Sequence, residues 1–253
     1  MKNMKRILSA AAVFVLAGSM LAGCGSSSSD ENTLVMATNA TFPPYEYVEG
    51  DEIVGIDPEI AAAIAEELGM EHQIEDVEFD SIVAGVASGK YDMGMAGMTV
   101  DPERLESVNF SDSYATGIQS IIVKEGSPIQ SAEDLSAETL IGVQQGTTGA
   151  MYAADDYGQD AVVNFNKGAD AVQALVTDKV DCVIIDNEPA KSFVEANPGL
   201  KILDTEYAVE DYAICVAKDN DELLDKINDA LAKLKEDGTL DEIINKYIPS
   251  DGE

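Results

Sequence analysis

The sequence predicts an α/β protein of two lobes, and three observations predict it. Strand-like and helix-like runs alternate through most of the chain, the alternation stops and restarts, and an extended segment at 116–123 lies between the two sets.

Residues 34–37, Leu-Val-Met-Ala, form a short apolar run of strand length. A helix is expected over 57–68, with Asp57 as its N-cap, Pro58 in the first turn and Gly69 as its stop. A strand at 72–77, a helix at 81–88 closed by Gly89 and a strand at 91–95 complete the first set. This βαβαβ order calls for a parallel sheet with helices on both faces. The second set runs as a strand at 140–143, a helix at 148–157, a strand at 162–165, a helix at 169–178 and a strand at 182–185. One further strand is expected at 212–217, and then an amphipathic helix over 221–236, ended by Gly238. If the chain returns to its first lobe there, two extended segments join the lobes and form a hinge. A single doubly wound domain is the alternative that periodicity leaves open.

The N-terminal end speaks to compartment. Lys2, Lys5 and Arg6 precede an apolar stretch at 7–21, the pattern of a secretory signal rather than a membrane span. It ends in Leu21-Ala22-Gly23-Cys24, which resembles the lipobox of bacterial lipoproteins, in which the cysteine is acylated and the chain is cut before it. The expectation is a signal peptide over 1–23, a lipid on Cys24 and a flexible tether over 24–32, rich in serine and without apolar residues to bury. An ordinary signal peptide with a chance cysteine is the alternative.

Composition excludes several classes of function. Asp and Glu number 48 against 15 Lys and Arg, a net charge of −33 that becomes −36 once the three cations of the leader are removed. Such a surface repels phosphate backbones, so no nucleic-acid partner is expected. Besides Cys24 there are only Cys182 and Cys215, each inside an apolar run, where buried thiols are expected rather than a disulfide or a metal pair. With His72 as the sole histidine, no metal site, cofactor or histidine-based catalytic triad is expected.

Several blocks in a fixed order carry a resemblance: 38–46 (TNATFPPYE), 55–57 (GID), 96–104 (AGMTVDPER), 108–111 (VNFS), 143–148 (VQQGTT), 185–190 (IDNEPA) and 238–243 (GTLDEI). Together they resemble the polar amino-acid-binding proteins of ABC importers, the extracellular solute-binding proteins of family 3 in their lipoprotein form. The resemblance covers 33–248 and implies a two-lobed periplasmic-binding-protein-like fold with a two-segment hinge. It assigns 33–113 plus 213–249 to lobe 1, 119–207 to lobe 2, and 114–118 and 208–212 to the hinge. It also implies a monomer outside the cell membrane, held there by its lipid, that gives a free polar amino acid to a permease and its ATPase and catalyses nothing.

A free amino acid needs an anion clamp, an anion of opposite purpose and a selective wall. Arg104 offers a planar donor fork suited to a carboxylate, beside Asp101-Pro102; an ordinary exposed arginine is the bland alternative. Thr147 and Thr148 open a helix after a strand, where free N–H groups favour an anion, with N-capping as their structural role. The resemblance adds the backbone of Thr99 to the carboxylate clamp. It places Asp186 on the ligand ammonium, with the carbonyl groups of Ala96 and Gly97, although Asp186 could instead cap the next helix. It puts Phe42 and Phe79 on either side of the ligand stem, and leaves Tyr45 and Tyr114 to packing or hinge. Asn39 stands where members that bind lysine, arginine or histidine commonly have aspartate, which argues against a cationic side chain unless Glu46 or another acid substitutes. A dehydratase-like cleft enzyme or an amino-acid sensor on the same fold are the competing functions.

Overall fold

A computed structural model describes residues 32–204 and 206–249. The signal over 1–23, the lipid on Cys24 and all but the last residue of the tether lie outside the described residues.

The first part of the chain builds β1 (Thr33–Thr38), the short strands β2 (Thr41–Phe42), β3 (Glu46–Glu49) and β4 (Glu52–Val54), α1 (Ile56–Leu68), β5 (Glu71–Asp76), α2 (Ile82–Ala87), β6 (Met93–Gly94) and β7 (Val108–Phe110). The middle part builds β8 (Ala115–Lys124), β9 (Ile141–Gln144), α3 (Thr148–Tyr157), β10 (Val162–Phe165), α4 (Gly168–Val176), β11 (Cys182–Asp186), α5 (Asn187–Ala196), β12 (Leu200–Ile202) and β13 (Ala208–Tyr212). The chain closes with β14 (Cys215–Ala217), α6 (Asp221–Glu236) and α7 (Thr239–Tyr247).

Two main sheets result. The first has the order β5-β1-β6-β14-β7, and the second β10-β9-β11-β8-β12 with β13 also on β8. The expected parallel pairing holds for β5, β1 and β6 and for β10, β9 and β11. It fails where the chain arrives from the other sheet: β14 and β8 each insert antiparallel, because no crossover helix sets their direction.

The chain passes from the first sheet to the second between β7 and β8 and returns between β13 and β14. This corrects the single strand expected over 212–217. Tyr212 ends β13 in the second sheet, the backbones of Ala213 and Ile214 bond to Met98 and Ser111, and only then does β14 join the first sheet. Segments 114–118 and 208–212 lie side by side at these passages, since β8 and β13 pair antiparallel from Ala115 to Gln119.

α1 begins at Ile56 with Gly55 as N-cap, so Asp57 is not the cap expected of it. A Cβ at Gly55 would lie 2.2 Å from the Tyr45 carbonyl oxygen, and its φ of +133° suits glycine alone. Asp57 sits one residue inside the helix and turns to the core. Ile56, Ile60 and Ile64 of α1 bury completely in a core shared with Leu34 and Met36 of β1 and Ile227 and Leu231 of α6. Each such side chain is worth roughly 1.5–3 kcal/mol on burial. The antiparallel sheet β2-β3-β4 is absent from the sequence expectations, because strands of two to four residues carry too few positions for a period to show.

Candidate ligand-binding cleft

The sites where parallel strands end are where this architecture leaves a crevice. Asn39 follows β1, Gln144 ends β9 and Asp186 ends β11. They meet Phe42, Glu46, Phe79, Ala96, Gly97, Thr99 and Arg104 of the first lobe and Thr147 and Thr148 of the second around one cleft of about 310 Å³. All ten residues singled out in the sequence for ligand contact are therefore brought together. A larger open groove on the second lobe, about 930 Å³, gathers no comparable set, and its Lys124 is already paired with Asp178 at 2.6 Å.

Arg104 is held by its corner. The Asp101 carboxylate accepts the N–H groups of Glu103 and Arg104 at 2.8 and 3.2 Å, an Asx turn that fixes the backbone. The guanidinium donates from Nη1 to the Thr99 carbonyl at 2.7 Å and from Nη2 to the Gly146 carbonyl at 3.0 Å, across to the other lobe. It lies 5.4 Å from the Phe79 ring, is only 8% exposed, and burial lowers its pKa. Two bonds leave the rest of its five-donor fork available, and among the described residues it forms no ion pair.

Thr147 caps α3, accepting the Ala150 N–H at 3.2 Å, while the Thr148 and Thr99 hydroxyls sit 3.3 Å apart across the lobes. The first turn of α3 thus points its amide end at the side of the cleft where Arg104 sits. Gly97 is confined by its neighbours: a Cβ there would lie 2.9 Å from the Phe42 ring, at a φ of +52°.

Asp186 occupies the N-cap position of α5 but makes no side-chain cap bond. Its carboxylate instead accepts from Gln119 at 2.9 Å and from the Tyr212 hydroxyl. Burial first, then the charge of Glu210, push its pKa up to about 7, against the lowering by Tyr212 and Gln119. Asn39 is engaged through both its amide nitrogen and its amide oxygen. Its Nδ2 donates to the Val77 carbonyl at 2.7 Å, and its Oδ1 accepts from Thr41 at 2.8 Å and from Gln144 of the other lobe at 3.0 Å.

Glu46 is the residue whose setting sequence alone does not show. It is fully buried, lines the cleft, and neither of its carboxyl oxygens receives a donor. Gln144 escaped notice although it lies in the VQQGTT block, at the very end of its strand. Tyr45 and Tyr114 stand behind the cleft: Tyr45 meets Tyr212 edge-on at 5.1 Å, and Tyr114 donates to Asp57 at 2.9 Å. His72 pairs with Leu34 in the sheet and is not part of the cleft wall. Cys182 and Cys215 are free buried thiols in different sheets. Among the described residues no helix is long and apolar enough to cross a membrane, and no group of three or more potential metal ligands occurs.

Comparison with known proteins adds its own findings. The family described as bacterial extracellular solute-binding proteins, family 3, matches residues 34–250. The arginine-binding extracellular protein ArtP of Bacillus subtilis (strain 168) is 36% identical over 238 residues, covering 90% of this chain and 92% of its own. A solved structure of an ancestral arginine-binding protein bound to arginine is 41% identical, with a TM-score of 0.80 over 85% of this chain and 98% of its own. A structure of an ancestral arginine-binding protein bound to glutamine is 39% identical, with a TM-score of 0.82 over 87% and 99%.

Proposed function

The chain belongs to family 3 of the bacterial extracellular solute-binding proteins, and on that premise we propose that it captures one free amino acid with a cationic side chain and delivers it to an ABC importer. The observation that supports this best is a set of buried charges left without partners in one cleft. Among the described residues the Arg104 guanidinium pairs with no carboxylate, and the acids Asp186 and Glu46 pair with no cation. In its ionised form each of these groups costs several kcal/mol unless a counter-charge compensates it, or else it must hold a proton. An amino acid with a cationic side chain supplies one negative and two positive groups, the complement of that set.

In this assignment Arg104, the first turn of α3 and the Thr99 backbone take the α-carboxylate. Asp186, with the carbonyl groups of Ala96 and Gly97, takes the α-ammonium, and Phe42 and Phe79 flank the stem. Glu46 takes the side-chain cation, in place of the aspartate that Asn39 is not. The arginine named for ArtP makes arginine the leading candidate, and the glutamine-bound ancestral protein makes glutamine the competitor to test. We further assign 33–113 plus 213–249 and 119–207 as the lobes, with 114–118 and 208–212 as the hinge between them. Cys24 is assigned as the lipid attachment point outside the membrane. No catalytic step is assigned to the cleft.

Calorimetric titration with arginine, lysine, ornithine, histidine and glutamine tests the assignment. Arginine is expected to bind most tightly. A neutral amino acid binding more tightly overturns the cationic side chain, and no binding by any amino acid overturns capture itself. Replacing Cys24→Ala is expected to abolish palmitate labelling in cells, and unchanged labelling removes the anchor assignment.

A further inference from the structure

We propose that Glu46 and Asp57 share one proton in the ligand-free protein and that a cationic ligand side chain displaces it, so that capture releases a proton. The inference deepens the function proposed above and rests on it.

The start of α1 is tied to the β2-β3 hairpin. Asp57 donates its N–H to the Tyr45 carbonyl at 2.9 Å, and Ile56 donates to the Pro44 carbonyl at 3.2 Å. This brings two fully buried carboxyl groups, Glu46 and Asp57, within hydrogen-bond reach of each other. Asp57 Oδ2 receives the Gly97 N–H at 2.8 Å and the Tyr114 O–H at 2.9 Å. Asp57 Oδ1 and both oxygens of Glu46 receive nothing.

As two carboxylates, neither group could donate to the other. Two adjoining negative charges and three orphaned acceptors would then be buried together, an arrangement that each cost argues against. One proton resolves it, with Glu46 as the O–H donor and Asp57 Oδ1 as the acceptor. The two donors already on Asp57 favour its ionised form and place the proton on Glu46.

The acids around the pair act in the same sense, since Asp186 from β11 and Asp76 from the end of β5 add negative charge. Tyr114 donates to Asp57 and favours its ionised form, and the Arg104 cation across the cleft opposes protonation of either acid. Burial, followed by Asp57 itself, pushes Glu46 well above the usual carboxylate range, and burial pushes Asp57 up to about 7.

A guanidinium or ammonium brings donors and positive charge together. It satisfies Glu46 as a carboxylate, and the Glu46 proton passes to solvent. A neutral side chain of the same shape brings donors without charge, and the proton stays.

The experiment is calorimetry at pH 7 in phosphate, HEPES and Tris, whose ionisation enthalpies differ, with L-arginine and with L-citrulline, its uncharged analogue. Asp186 loses whatever proton it carries to solvent when it pairs with either ligand's α-ammonium, so the informative quantity is the difference between the two. We expect arginine to release about one proton more than citrulline, and its affinity to gain up to about tenfold more per pH unit than that of citrulline. Glu46→Gln, folded by circular dichroism, is expected to remove the excess release and weaken arginine far more than citrulline. If that variant does not fold, or citrulline does not bind, Asp57→Asn against the parent with arginine gives the same comparison and is expected to release less. Equal release by the two ligands, or an excess that survives Glu46→Gln or Asp57→Asn, overturns the exchange while leaving amino-acid capture in place. Failure of arginine to bind at all overturns both.

Discussion

In the proposed assignment Arg104 and Asp186 meet the two ends of a ligand backbone from opposite sides of the cleft, and among the described residues each is buried without a counter-ion. Arg104→Ala or Asp186→Asn leaves one ligand charge poorly paired, a loss of about 2–5 kcal/mol, or roughly 30-fold to several thousand-fold in affinity by titration. Arg104→Lys is expected to weaken binding as well, because an ammonium cannot span both the Thr99 and Gly146 carbonyls and still present a fork to the ligand. Binding of all three variants within about threefold of the parent would remove the assignment. Asn39→Asp has a different expected outcome. Losing the Nδ2 donor sets a carboxylate against the Val77 carbonyl, so the folded state should lose about 1–3 kcal/mol in urea titration. Arg104 is legible in the sequence because it is the one arginine beyond Arg6 and lies in a matching block. The state of Glu46 is not legible, because it depends on Asp57 and Tyr114, which reach it only through the folded hairpin and the helix start.

Two strands, β8 and β13, carry the passages between the sheets and also hold Asp186, the acid proposed for the ligand ammonium. Gln119 of β8 and Tyr212 of β13 donate to the two oxygens of Asp186. Gly117 of β8 makes room for this: a Cβ there would lie 2.3–2.4 Å from the Tyr212 ring and hydroxyl. Gly117→Ala must therefore displace Tyr212, and overpacking of this kind costs about 1–3 kcal/mol. A lowered Tm together with weakened arginine binding is expected, and an unchanged Tm would show that the ring moves freely. Most helices and the parallel strands were legible from alternation and stop signals, as with α1 ending at Gly69 and α3 opening at Thr147. The division of 212–217 between two sheets was not. Its apolar pattern runs on unbroken while the partners change from Ala115 at Tyr212 to Phe110 at Cys215. Pairing partners distant in sequence leave no local trace.

Across the whole molecule, the lobes touch through Asn39–Gln144, Arg104–Gly146 and Asp80–Gln145, the last at 2.7 Å. A ligand that bonds both lobes stabilises this arrangement by its differential affinity for it. Saturating arginine is therefore expected to shrink the radius of gyration in solution scattering, and an unchanged profile with proven binding would argue against closure. The buried acids also set how stability responds to pH. Burial raises Asp57 and Asp186 from 3.8 to about 7 and moves Glu46 in the same direction. The native state thus holds protons that the unfolded chain has already lost. This contribution is fully present below the unfolded values and disappears as pH rises through about 7. The urea midpoint of the ligand-free protein is expected to fall between pH 5 and pH 8. Net charge of −33 acts in the same sense by self-repulsion, but its surface charges are screened at high salt and buried ones much less. Repeating the titration in about 0.5 M NaCl, where the screening length falls to roughly 4 Å, separates the two. A fall that persists in salt belongs to Glu46, Asp57 and Asp186, and it should diminish in Glu46→Gln. A midpoint that is flat in salt would mean that the buried acids titrate as they do in the unfolded chain.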